Sequence, residues 1–186
     1  MATILVMAGS LRAESYNKRL AAAGARALTA AGATVDLLDL REVAMPLYDG
    51  DLEDAEGLPE GAVAFRARLA VAQGFMIACP EYNSSIPGGF KNALDWASRG
   101  EPDVFDGKLV ALMGASPGGF GSQRAHYHLR QVMTTLGVWA LPSQVLVSRA
   151  HEAFTPEGEL VNPRTAAEVV SLADDLVAAL ARWPQA

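Results

Sequence analysis

The sequence predicts a doubly wound α/β fold, a parallel sheet with helices on both faces, and three observations carry that expectation. Short continuous apolar runs, as in strands buried on both faces, alternate with longer segments of helical periodicity. Several of those runs end in loops rich in glycine, proline and hydroxyl residues that open the next helix. A chain of 186 residues, 51% of them hydrophobic, fills one large core, so residues 1–186 are expected to form a single domain.

The elements follow in order. Ile4–Ala8 is an apolar run closed by Gly9 and reads as the first strand; the N-terminal stretch has no basic segment before it and is read as this strand rather than a leader. From Ser15 to Ala31, Leu20, Ala23, Ala27 and Leu28 recur at helical spacing, with Ser15 or Asn17 available as the cap and Gly32 as the stop. Thr34–Leu40, Phe75–Cys79 and Leu109–Ala115 read as further strands, and Glu60–Ala72, Gly88–Ser98 and Gln123–Leu136 as helices. Val138–Val147 is a fifth strand, which Pro142 must interrupt or confine to the sheet edge. The last helix begins after Asn162-Pro163, with Thr165 to Glu168 matching a capping box and Val169, Leu172, Ala173, Leu176 and Leu180 on one face. Met45–Pro59, acidic and holding two glycines, is expected to be an irregular surface loop.

Composition excludes several function classes. Fifteen Lys and Arg against 21 Asp and Glu leave a net charge of −6, which repels nucleic acid and anionic membrane surfaces. No apolar run approaches the roughly 20 residues of a membrane-spanning helix. The single cysteine, Cys79, forms no internal disulfide and is too little for a zinc cluster, so a reducing cytoplasm and no metal are expected. His126 and His128 stand two apart on a helix and face different ways, unlike metal ligands at i, i+4. No G-x-S-x-G elbow surrounds any serine, which removes serine hydrolases.

In doubly wound folds ligands bind beyond the carboxyl ends of the strands, at the switch point of the topology. Three loops fall there. Gly9 to Asn17 places Ser10, Arg12, Ser15 and Asn17 at a helix N-terminus, where free N–H groups and the helix dipole favour an anion. Pro80 to Gly89 leaves a buried strand through two prolines and two glycines, a stiff wall with one aromatic ring, suited to a flat heterocycle. Gly114 to Ser122 is glycine-rich and lets a backbone approach a ligand closely. The dinucleotide fingerprint G-x-G-x-x-G and the G-x-x-x-x-G-K-[ST] phosphate loop are both absent from these turns. A monophosphate on a planar ring system fits better, and FMN has that shape. Cys79, Phe90 and Trp96 are read as core residues, and Arg124, Tyr127 and Arg130 as either an interface or a solvated face.

Three segments, residues 9–17, 80–96 and 118–130, resemble the NAD(P)H-dependent FMN reductase family, which includes soluble quinone, chromate and azo-dye reductases. The resemblance implies a flavodoxin-like five-stranded sheet of order 2-1-3-4-5. It implies that Ser10, Leu11, Arg12, Ser15 and Asn17 hold the FMN phosphate, that Pro80, Glu81, Tyr82, Asn83 and Ser84 line the flavin, and that Ser116, Pro117, Gly118 and Gly119 approach its other side. It also implies a hydride taken from NADPH or NADH, a ping-pong transfer to a quinone, flavin, metal oxyanion or azo compound, no catalytic acid or nucleophile, and a homodimer or homotetramer. A flavodoxin-type electron carrier and a flavin-free binding module are the rival readings.

Overall fold

The computed structural model describes residues 1–183; residues 184–186, counted above in the single expected domain, lie outside the described residues. Five strands, β1 (Thr3–Ala8), β2 (Thr34–Leu38), β3 (Gly74–Ala78), β4 (Leu109–Ala115) and β5 (Trp139–Val147), form one parallel sheet in the order β2-β1-β3-β4-β5. Between and after them run α1 (Tyr16–Ala30), α2 (Gly50–Glu56), α3 (Glu60–Val71), α4 (Gly88–Ala97), α5 (Gln123–Thr135) and α6 (Pro163–Arg182). The expected strand order is the observed one. The chain reverses direction across the sheet between β1 and β3, so the loops after β1, β3 and β4 meet at one edge. Among the described residues no helix is long and apolar enough to cross a membrane.

Strand alternation sorts the core into two layers. Ile4, Val6, Met76 and Met113 point to the face covered by α1 and α6, while Leu5, Met7, Phe75, Ile77 and Leu112 point to the face covered by α3, α4 and α5. All five residues of β3 are buried, as a central parallel strand requires. Cys79, Phe90 and Trp96 are fully buried, in keeping with their reading as core.

Local chemistry sets the element ends. Ser15 caps α1 by accepting from the Asn17 N–H at 3.2 Å, and Gly32 follows the helix at φ +88°, a conformation that costs glycine nothing. The second strand is shorter than Thr34–Leu40: the Asp39 side chain accepts from the Arg41 N–H at 3.1 Å and turns Leu40–Val43 into a 3-10 helix. The irregular segment expected over Met45–Pro59 contains α2, capped by Asp49 and burying none of its side chains, so the hydrophobic periodicity that reveals other helices is missing there. The capping box at Thr165 to Glu168 does not form; Asn162 is the cap of α6, accepting from the Arg164 N–H at 2.9 Å, because Pro163 already occupies the first turn. β5 is an edge strand broken at Pro142, as expected: Val110 faces Ala140 and Leu112 faces Gln144, so Ala111 alone is set against residues 141–143.

The far end of α4 is fastened to α3 by one buried cation. The Arg66 guanidinium donates to the carbonyls of Ala97 at 2.6 Å, Gly100 at 3.2 Å and Pro102 at 2.8 Å. Arg66→Met keeps the bulk and orphans those carbonyls. It is expected to lower unfolding stability by about 2–4 kcal/mol in urea titrations, with little change in the denaturant slope.

Candidate functional site

The loop after β1 starts as an extension of the sheet, the Gly9 N–H bonding to the Ala78 carbonyl at 2.9 Å. It is then shaped by its own hydroxyls. Ser10 Oγ accepts from the Arg12 N–H at 3.3 Å, as Ser15 Oγ does from Asn17 and Ser116 Oγ does from Gly118 at 3.2 Å, the same short turn used three times along one edge. Ser10, Ser15 and Asn17 are buried, whereas Arg12 is exposed and among the described residues meets no carboxylate. The first turn of α1 carries no acidic residue, so the positive end of its dipole is left uncompensated beside that guanidinium.

Asn17 has a second task. Its Nδ2 donates to the Ala115 carbonyl at 2.8 Å and its Oδ1 accepts from the Ala115 N–H at 2.9 Å, tying the start of α1 to the end of β4. The Ala115 carbonyl also accepts from Ser122 Oγ at 3.3 Å, and Ser122 sits at φ +74° directly before α5. Gly114 allows this closeness: a Cβ there would lie 2.7 Å from the Ser122 Cβ and 2.8 Å from His126 Nε2.

The loop after β3 is held by α5. Glu81, with 7% of its side chain exposed, accepts from the Arg124 N–H at 3.0 Å and from its Nε at 2.6 Å, capping the helix and pairing with the guanidinium at once. Tyr82 and Ser85 exchange two backbone hydrogen bonds around Asn83 at φ +50° and Ser84 at φ +66°. Both turn residues are in the left-handed region, where a non-glycine residue other than Asn or Asp carries strain of roughly 1–2 kcal/mol. Ser85 Oγ lies 2.9 Å from His128 Nδ1. His128 is thus exposed while His126 is buried on the opposite side, the divergence expected from their spacing.

A narrow cavity of about 70 Å³ lies where the three loops meet, lined by Ser10, Arg12, Ser15, Asn17, Pro80, Glu81, Tyr82, Ser116 and Pro117 together with Tyr16 and Ala115. Leu11 lines the neighbouring cavity of about 430 Å³, which Arg12 and Tyr82 share with Gly88, Gly89 and Arg41. Asn83, Ser84, Gly118 and Gly119 stand exposed outside both. Another cleft, between the end of β5 and the start of α6, contains no residue of the three loops. Arg41 is the residue that sequence reasoning missed. It follows the capping Asp39, and its Nε donates to the Leu11 carbonyl at 2.6 Å; the signal in sequence was only a cation just past a strand that ends at the same sheet edge.

Two ionisable groups beneath the site are held neutral. Burial pushes the Cys79 thiol up, far from any thiolate, and its Sγ lies 3.4 Å from the Pro80 carbonyl. Burial also holds His126 below the usual imidazole value, with Arg130 pushing the same way and bonds to Gln144 and Met113 and the Glu81 charge opposing. Its Nε2–H donates to the Met113 carbonyl at 2.9 Å, and Nδ1 lies 3.2 Å from the Gln144 side-chain amide. The unfolded chain therefore takes up this proton first, near pH 6.5, and the contribution of neutral His126 to stability is lost as pH falls from there toward the lower folded value. Thermal melts from pH 7 to pH 5 are expected to fall more steeply for the parent than for His126→Gln, which cannot titrate.

The chain matches the NADPH-dependent FMN reductase family over residues 2–152. It is 41% identical over 162 residues to an NAD(P)H-dependent FMN reductase of Pseudomonas aeruginosa, covering 87% of this chain and 85% of that protein. It is 39% identical over 135 residues to a quinone reductase of Escherichia coli, covering 72% and 70%. In structure it is similar to FerB, a flavoenzyme NAD(P)H:(acceptor) oxidoreductase from Paracoccus denitrificans, with a TM-score of 0.86, 28% identity and coverage of 98% and 99%.

Proposed function

Because the chain belongs to the NADPH-dependent FMN reductase family, we propose that it is an FMN-dependent oxidoreductase that takes a hydride from NADPH or NADH and passes electrons to a small acceptor, a quinone first among them. One observation carries the assignment of the site: an uncompensated guanidinium and an acid-free helix start converge with two further loops on a single cleft. Arg12, Ser10, Ser15, Asn17 and the backbone at Leu11 hold the FMN phosphate, with Arg12 supplying the charge and Asn17 fixing the loop. Pro80, Glu81, Tyr82, Asn83 and Ser84 form a wall whose shape is set by the Glu81 to Arg124 pair and the Tyr82 to Ser85 turn, a built surface for a planar ring. Ser116 and Pro117 line the cleft on the other side, with Gly118 and Gly119 continuing that loop along its exposed rim.

Bound FMN supplies the redox chemistry, accepting a hydride and returning two electrons, so the polypeptide has to position it, bond its polar edge and exclude water. With FMN held there, donor and acceptor would use the same site in turn, a ping-pong order, and such a site would take quinones, free flavins, azo compounds and metal oxyanions such as chromate. No side chain acts as acid or nucleophile, in keeping with the neutral, buried Cys79. The exposed Phe120, Tyr127 and Trp139 give apolar surface for a homodimer or homotetramer, working in a reducing cytoplasm.

The test is an anaerobic visible spectrum of FMN-reconstituted protein. Bleaching by NADPH or NADH and recovery on adding a quinone, with parallel double-reciprocal plots, is the expected result; bound flavin that stays oxidised would make the protein an electron carrier, and no bound flavin a binding module. Arg12→Ala is expected to weaken FMN binding about 10- to 100-fold by fluorescence titration, the worth of one charge-assisted hydrogen bond.

A further inference from the structure

Most of the cations in this acidic chain are accounted for. Lys18, Arg19, Arg26, Arg68, Lys91, Arg99, Arg124 and Arg164 each meet a carboxylate, and Arg66, Lys108 and Arg130 donate to carbonyls. Arg41 also donates to a carbonyl, but among the described residues it meets no carboxylate through its guanidinium, and it lines the cavity that Arg12 and Tyr82 share. Only its Nε is engaged, at 2.6 Å to the Leu11 carbonyl, and both terminal nitrogens are free among the described residues. Asp39, two residues before it, is occupied by Lys18 Nζ at 2.6 Å and by the Arg41 N–H itself. The Leu11 tether sets the guanidinium on the outer lip of the loop that carries Arg12.

Two cavities meet at that lip. One, of about 430 Å³, runs from Arg12 and Tyr82 to Arg41; the other, of about 470 Å³, runs from Arg41 over Val43, Ala44, Met45 and Leu47. Leu11, Arg41 and Gly89 line both, so together they form one groove. It leads from the flavin cleft, past a free guanidinium, to an apolar strip with the Asn92 amide at its side. Each part falls within the roughly 300–1,000 Å³ usual for ligand sites.

We propose that this groove receives the adenosine half of the pyridine nucleotide donor, with Arg41 binding its phosphate groups and the strip from Val43 to Leu47 covering the adenine. The assignment rests on the FMN reductase reading. Charge complementarity favours this occupant: Arg12 belongs to the cofactor phosphate, and Arg41 is the second free cation on a groove continuous with that site, as a donor bearing several phosphates and a flat apolar base requires. The pyrophosphate and the 2′-phosphate offer the same chemistry, and the test separates them.

Oxidised, FMN-loaded parent, Arg41→Gln and Arg41→Lys are compared by calorimetric titration with NADP+ and with NAD+, alongside FMN affinity by fluorescence. Arg41→Gln is expected to hold FMN within about twofold of the parent and to bind NADP+ at least tenfold more weakly, with Arg41→Lys restoring part of the loss and the difference shrinking at high salt. An equal loss for NAD+ would assign Arg41 to the pyrophosphate, and a loss confined to NADP+ to the 2′-phosphate. Unchanged nucleotide affinity in Arg41→Gln overturns the proposal, as does a matching fall in FMN affinity, which would make Arg41 a cofactor residue. If the parent itself bound no FMN, or stayed oxidised with both nucleotides, the FMN reductase reading would fall instead.

Discussion

The edge of the sheet depends on one side-chain amide. Asn17 satisfies both the N–H and the carbonyl of Ala115, joining the first helix to the fourth strand across the end of the third. Without it the buried Ala115 N–H would be unpaired, at roughly 1–3 kcal/mol, and the carbonyl would keep only one partner. The same carbonyl takes the Ser122 hydroxyl, Ser122 sets the start of α5, and α5 holds the loop after β3 through Glu81 and Ser85. Three loops that are far apart in sequence therefore behave as one body. Their own short serine turns supply local shape, and the Asn17 node supplies relative position. Such rigidity suits a site whose chemistry lies in a bound cofactor, where the error that matters is misplacement.

That node also marks where sequence reading stops. The strands were legible because a central parallel strand is apolar at every position, as from Gly74 to Ala78. Ser15 and Gly32 were legible because capping and stopping a helix are local acts. Asn17 was legible as part of an anion loop but not as a clamp, since its partner is 98 residues away and nothing in either segment announces the pairing. Thr165 and Glu168 had the right spacing for a capping box and lost to Asn162-Pro163, which ends the preceding loop three residues earlier. Helix α2 left no trace because it buries none of its residues, and Arg41 because an exposed cation after a strand looks like any other until the fold places it beside Leu11.

Electrostatics separates the working edge from the rest of the surface. With a net charge of −6, the protein as a whole repels anions, yet its salt bridges neutralise most cations in place and leave Arg12 and Arg41 free at the mouth of one cleft. The local field there is set by those two groups and by the positive end of the α1 dipole, whose first turn holds no acid, rather than by the global balance. Beneath them Cys79 and His126 are held in their neutral forms by burial, and the Glu81 carboxylate is matched by Arg124. The result is a positive rim over a floor whose one carboxylate is already paired.

The interruption of β5 has a consequence for how this chain can vary. Three residues, 141–143, stand where the neighbouring strand has only Ala111, so the bulge adds two residues and leaves the inward and outward alternation of the strand unchanged on either side. Pairing resumes at Gln144, which keeps its place against His126. Length changes can therefore be absorbed at this one place: losing a pair of residues would flatten the kink, and losing one would leave two residues against Ala111, an ordinary bulge that keeps Val145 and Val147 facing the core. The kink is a reserve of length that lets this edge change without disturbing the core.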